Sequence, residues 1–131
     1  MEKNMNFKEL LTIKDLKVYY ETASRLIKAV DGVSLTVGEG ETFGVVGESG
    51  SGKSVTIKSV MGLIHPPGKI VSGSIQFKGK ELTKFNNREY QEIRGDEIAM
   101  IMQDPMTALN PVLKIKDQIK ETLEEDGKLP D

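Results

Sequence analysis

The chain has 131 residues, 37% of them apolar and 29% charged, and a formal net charge of -2, which allows one domain with a modest core and argues against a broad nucleic-acid or membrane-surface footprint. It has no cysteine, which excludes disulfides and thiolate metal sites. No apolar run approaches the ~18 residues of a membrane span, and the charge-broken opening "MEKNMNFKELLTIKDL" lacks a signal peptide's apolar stretch, so a soluble cytoplasmic domain is expected.

In chain order, "LLTIKDLKVYYE" (Leu10–Glu21) alternates roughly and carries β-branched and aromatic residues, predicting a strand. A second strand is predicted over "GVSLTV" (Gly32–Val37), ended by the turn signal "GEGE". "TFGVVG" (Thr42–Gly47) is short, continuously apolar and followed by glycines, as in a strand buried on both faces of a parallel sheet. A helix follows, with Ile57, Val60, Met61 and Ile64 on one face, and "HPPG" (His65–Gly68) stops it. "GSIQFKG" (Gly73–Gly79) predicts a half-exposed strand, and "NNREYQEIRG" (Asn86–Gly95) a short helix capped by asparagine. "EIAMIMQ" (Glu97–Gln103) predicts a second buried strand. Ile115, Ile119 and Leu123 mark a narrow stripe on a charged C-terminal helix. The order predicts an α/β core with an N-terminal β layer.

The strongest signal is "VVGESGSGKS", in which Gly47, Glu48, Ser49, Gly50, Ser51, Gly52, Lys53 and Ser54 fit G-x-x-x-x-G-K-[ST] at every fixed position. Gly47 and Gly52 are expected to take backbone angles closed to residues with a Cβ, turning successive N–H groups inward. Gly50 and Ser51 keep the loop small enough for polyphosphate oxygens to approach the main chain. Lys53 supplies a cation with three donors, and Ser54 a hydroxyl for a magnesium ion bridging two phosphates. The helix that follows, entered at Val55, aims its partial positive charge at the same spot.

A second landmark is "IAMIMQDPMTALNP" (Ile98–Pro111), in which Gln103 ends an apolar stretch and opens a loop punctuated by Pro105 and Pro111. An uncharged amide there can ligate a metal or hold a water without adding charge. Together the two stretches resemble the ATP-binding subunits of ABC transporters, in the branch serving dipeptide, oligopeptide and nickel importers. "AVDGVSL" followed by "GETFGVVGESGSGKS" matches that pattern from Ala29 onward, and the resemblance covers about Leu10 to Leu123. Met102 departs from it, standing where the branch often has phenylalanine.

The resemblance implies a P-loop NTPase fold of the ABC type, incomplete here, with an N-terminal antiparallel β subdomain. It implies a β layer over about 8–41, a strand–loop–helix over about 42–64, a Q-loop region over about 97–111 and the start of a helical subdomain over about 112–131. Gly47 to Ser54 would be the Walker A loop, extended by Val55, with ATP and Mg²⁺ as ligands. Gln103 would be the Q-loop glutamine, contacting magnesium and the attacking water. Tyr20 aligns with the aromatic that stacks on adenine, although the spacing allows Tyr19 equally. The implied partners are transmembrane permease subunits and a second ATP-binding subunit, at the inner face of the membrane.

The rest of the family's machinery is not in the sequence: there is no "LSGGQ"-like signature and no apolar run leading into Asp-Glu. His65, the single histidine, lies directly after the P-loop helix and reads as a solvated loop residue rather than a late switch histidine. The chain is therefore expected to be the N-terminal portion of a longer ATPase subunit that binds nucleotide without turning it over efficiently. The alternative is a naturally short, non-catalytic nucleotide-binding or interaction module; a GTPase fits poorly, since no N-K-x-D-type motif is found. Met100, Met102 and Met106 read as sheet core rather than as a soft metal site. An uncovered stripe at Ile115, Ile119 and Leu123 would favour self-association or fraying.

Overall fold

The computed structural model describes residues 8–104 and 108–125, Glu125 in its backbone only. The chain forms two compact units, one running to Tyr90 and the other beginning at Gln91. The first unit is built on a four-stranded sheet of order β2-β1-β3-β4, with every pairing antiparallel. Its strands are β1 (Glu9–Glu21), β2 (Leu26–Gly38), β3 (Gly68–Phe77) and β4 (Lys80–Glu81).

β1 is central because alternation gives it one strongly apolar face: Ile13, Leu16 and Val18 are buried. Val30 of β2 and Ile75 and Phe77 of β3 complete that core. Helix α1 (Lys53–Val60) packs against β1 and β2. Its buried Thr56 and Ser59 hydroxyls donate to the carbonyls of Gly52 and Val55 at 2.9 and 2.8 Å, so neither hydroxyl is stranded. The expected helical face is partly realised: Val60 and Met61 are buried, whereas Ile57 is exposed and Ile64 half-buried. The helix ends at Val60 with Met61 as its cap, a turn before the prolines.

β1 is broken by a bulge. Asp15 has φ 44°, the pairing with β2 shifts between Ile13 and Leu16, and that with β3 shifts between Lys14 and Lys17. The Asp15 N–H donates to Ser34 Oγ at 2.8 Å. Opposite, Gly73 has φ 98°, and a Cβ there would lie 2.5 Å from the Asp15 carbonyl oxygen.

Between β4 and the next helix, a 3₁₀ turn (Leu82–Lys84) is organised by Glu81. The Glu81 carboxylate accepts from the Ile75 N–H at 2.9 Å and from the Thr83 hydroxyl at 2.6 Å. Burial pushes this carboxyl upward, but the hydrogen bonds from Thr83 and Ile75 and the nearby charge of Lys84 outweigh it and hold it below the usual glutamate range. Helix α2 (Asn87–Ile93) is capped as the sequence predicts. Asn86 Oδ1 accepts from the N–H groups of Arg88 and Glu89 at 2.9 and 3.1 Å, and Glu89 reaches back to the Asn86 N–H at 2.7 Å. Tyr90 donates its hydroxyl to the Leu82 carbonyl at 2.9 Å and meets Phe85 edge-on.

In the second unit, helix α3 (Ile115–Glu125) leaves Ile115 and Ile119 more than half exposed, at 61% and 54%. The Gln118 amide ties this helix to the preceding loop, accepting from the Asn110 N–H at 2.8 Å and donating to its carbonyl at 3.0 Å.

Two expected strands do not form. Residues 41–48 adopt no regular structure and are exposed, with Val46 at 94%. A strand buried on both faces needs hydrogen-bonded neighbours and a cover on each side, and among the described residues nothing pairs with this stretch. Over 97–103 only an isolated parallel bridge, Arg94 to Ile98, is made, and Ile101 is 99% exposed. Met102 is likewise exposed and Met100 half-buried, so neither is sheet core as expected; Met106 lies outside the described residues. β2 also begins at Leu26, well before the expected Gly32.

Candidate functional site

The glycine loop lies where the chain leaves exposed backbone and enters α1. Gly52, at φ 92° and ψ 0°, is the residue before the helix; its carbonyl accepts from the Thr56 N–H at 2.9 Å and opens the helical ladder. It also sits hard against β2: a Cβ at Gly52 would stand 2.5 Å from the Ala29 carbonyl oxygen and 3.5 Å from Val30 Cγ2. Glycine is thus demanded twice, by the left-handed backbone and by the lack of room. The seat on Ala29 is a part of the site that the loop's own sequence does not reveal; only the glycine at position 52 hints that something lies close.

The other glycines divide the work differently from expectation. Gly47 is not in the left-handed region, whereas Gly50 is, at φ 80°. Gly47 matters for space: a Cβ there would fall 2.6 Å from Ser51 Oγ and 3.8 Å from Lys53 Cδ. The Ser51 N–H closes a turn on the Glu48 carbonyl at 3.2 Å. Lys53 then folds over the loop, donating to the Gly47 carbonyl at 2.6 Å, the Glu48 carbonyl at 2.7 Å and Ser51 Oγ at 3.2 Å.

The result is an exposed turn from Gly47 to Gly52 with the Lys53 ammonium folded onto its carbonyls and α1 starting at its end. The α1 first turn carries no acidic residue to oppose an anion. A lysine and a helix N-terminus converging on a glycine loop are the elements that phosphate sites use. Ser54, exposed in the first turn of α1, and the half-buried Val55 flank it. Among the described residues no group of three or more His, Asp or Glu side chains forms a metal site of its own.

The two tyrosines take opposite faces of β1. Tyr19 donates its hydroxyl to Asp31 at 2.6 Å, and the Lys28 ammonium lies 5.4 Å from its ring centroid. The Asp31 hydrogen bond, then partial desolvation and the negative charges of Asp31 and Asp15, raise the Tyr19 phenol above its ordinary range. The same hydrogen bond holds Asp31 low against desolvation, helped by Lys28 and Lys17. Tyr20 follows the buried Leu16 and Val18 at every second residue. Its ring lies on β3, where a Cβ at Gly68 would be 2.6 Å from Tyr20 Cε1. Gly68 also borders an open cavity of about 270 Å³ between Ile64, Leu82, Phe85 and Tyr90, which contains none of the loop residues. Gln103 belongs to the second unit, in an exposed bend after Met102. His65 is exposed, as the sequence suggests.

Residues 30–129 match the ABC transporter family. The chain is 51% identical over 115 residues to the oligopeptide transport ATP-binding protein AppD of Bacillus subtilis, covering 87% of this chain and 35% of that relative. It is 48% identical over 116 residues to the dipeptide transport ATP-binding protein DppD of the same organism, covering 88% and 35%. To DppD of Escherichia coli it is 43% identical over 114 residues, covering 87% and 35%. The chain thus spans about a third of the length of these relatives. Among the described residues no helix is long and apolar enough to cross a membrane.

Proposed function

The chain belongs to the ABC transporter family, and from that membership we propose that it is the ATP-binding portion of an importer ATPase that energises uptake of peptides or a related small solute such as nickel. The observation that carries this reading is an intact loop from Gly47 to Ser54 at the head of α1, in a chain half identical to a peptide-transport ATP-binding protein. The loop's N–H groups and the Lys53 ammonium would hold the phosphates, and Ser54 would hold Mg²⁺, which supplies charge neutralisation between phosphate oxygens.

Of the two tyrosines, Tyr20 is the better adenine platform. The hydroxyl of Tyr19 is engaged by Asp31 and its ring by Lys28. Gln103 would contact the metal and the attacking water, and the region after it would face a transmembrane permease subunit at the inner side of the membrane. A second ATP-binding subunit would be the other partner. This division takes 8–41 as the β layer, 42–64 as the segment of the glycine loop and α1, 97–111 as the Q-loop region and 112–131 as the start of a helical subdomain. Phosphoryl transfer also needs a positioned water and a base, and these residues offer a cradle without an identified base. Binding without efficient turnover is the expected behaviour.

Titration calorimetry with MgATP tests the reading. Saturable binding is expected, lost in Lys53→Ala with an unchanged circular dichroism spectrum, alongside negligible phosphate release. Absence of binding, or a preference for GTP over ATP, would overturn it.

A further inference from the structure

β2 ends the sheet on one side, and among the described residues it pairs with β1 alone. Its outer edge therefore carries main-chain groups that can template a further strand. The pairing tells which groups these are. The Glu39 N–H donates to the Lys8 carbonyl at 3.0 Å, so Glu9 and Gly38 form a non-hydrogen-bonded pair and the Gly38 N–H turns away from β1. Glu41 Oε2 accepts that N–H at 2.7 Å and closes the end of the edge. By alternation, the N–H and C=O groups of Thr36 and Ser34 face outward on the same side.

We propose that this edge is a self-recognition surface, to which a second copy of the chain adds its own β2, antiparallel, about a two-fold axis at Leu35. The segment Val33-Ser34-Leu35-Thr36-Val37 reads almost alike in both directions. Reversed onto itself, it sets Val33 opposite Val37, Ser34 opposite Thr36 and Leu35 opposite Leu35, the reciprocal matching of an isologous contact. The outward N–H groups of Ser34 and Thr36 then donate to the carbonyls of Thr36 and Ser34 on the other copy. The faces agree as well. Half-buried Val33, Leu35 and Val37 continue one side of the joined sheet, and exposed Ser34 and Thr36 the other. No charged side chain and no proline stands between Asp31 and Glu39, so the edge lacks the residues that usually guard one. The contact is bounded at both ends. Gly32 leaves the extended region at φ 87°, and Asp31 comes level with Glu39 of the other copy. Each of these carboxylates already has a lysine, Lys28 at 3.6 Å and Lys8 at 2.7 Å, so neither end sets a bare negative charge against another. A contact this short gives a weak, reversible dimer.

Sedimentation velocity of the chain without nucleotide, from about 10 μM to about 1 mM, is expected to show a monomer–dimer equilibrium. Thr36 is the position to change, because its side chain is exposed, whereas Ser34 Oγ accepts from the Asp15 N–H. Thr36→Pro removes an N–H that β1 does not use, and edge strands tolerate proline with that side facing solvent. It is expected to weaken dimerisation about tenfold or more, since it deletes a donor from each copy. Thr36→Lys keeps the donor, is expected to act as strongly through charge, and decides the matter if proline distorts the strand. Thr36→Val is expected to dimerise like wild type. Amide exchange over 32–38 is expected to slow with rising concentration in wild type and Thr36→Val, and not in the other two. A wild-type chain that stays monomeric throughout the range overturns the proposal. A dimer undiminished in Thr36→Lys but lost in Ile115→Gln with Ile119→Gln also overturns it, by assigning association to α3. A dimer whose exchange over 32–38 does not change with concentration does so too.

Discussion

Gly52 and Ala29 touch backbone to backbone: the Ala29 carbonyl oxygen lies 2.5 Å from the position a Cβ would occupy on Gly52. The phosphate-type loop is therefore braced from outside by β2, and its shape depends on a residue far from it in sequence. Gly52→Ala is expected to cost about 1–3 kcal/mol, from a left-handed φ as well as the collision. The variant should also lose MgATP binding, because the loop cannot keep its seat. A shift in the urea midpoint measures the first effect and calorimetry the second.

Tyr90→Phe separates the hydroxyl of that residue from its ring. The Leu82 carbonyl accepts from the Phe85 N–H at 3.1 Å as well as from the Tyr90 hydroxyl, so the variant leaves it with a partner. The expected loss is about 1 kcal/mol, that of an ordinary hydrogen bond rather than of an orphaned polar atom. Tyr90→Ala removes a buried ring as well and should cost about 3–5 kcal/mol. Denaturant titration of the two variants resolves the difference.

Glu81 makes stability depend on acid. Its carboxyl is held below the ordinary range when folded, so its contribution is fully present above the unfolded glutamate pKa. That contribution disappears as pH falls through the lower, folded value. Wild type should exceed Glu81→Gln in stability at neutral pH, and the gap should close on the acid side of the glutamate range. A gap that stayed constant with pH would show that the charge on Glu81 is not what holds the 3₁₀ turn.

The stripe on α3 predicts association. Ile115 and Ile119 are largely exposed, so Ile115→Gln with Ile119→Gln should lower dye binding to apolar surface and reduce any self-association in sedimentation velocity. The helix itself should persist, since glutamine is a good helix former.

How much of this could be read from the residues alone depended on where each element gets its partners. β1 and the second half of β3 were legible because alternation and β-branched residues place half the side chains against a core formed within the same unit, whereas the start of β3 at Gly68 was not. The α2 cap was legible because Asn86 and Glu89 satisfy each other locally. Residues 42–47 and 97–103 read as buried strands because their composition suits two-sided burial, but pairing is not written in a single segment. With no strand paired to them among the described residues, Val46 and Ile101 stand in solvent. Within the loop, the motif specifies glycine at 47 and 52 without saying why. Only the folded loop distinguishes a purely spatial need at Gly47 from one that is both conformational and spatial at Gly52. Glu81 carried no signal in sequence, because its acceptors' partners, Ile75 and Thr83, lie on either side of a turn.

The bulge at Asp15 acts as a key for the whole sheet. Only a residue without a side chain can lie opposite that carbonyl, and Gly73 supplies it, flanked by Ser72 and Ser74. Sliding β3 by one residue along β1 would drive a serine Cβ into the Asp15 backbone and turn Ile75 away from the core. One kinked residue and one glycine thus index β1 and β3 against each other, as a notch fixes a ruler.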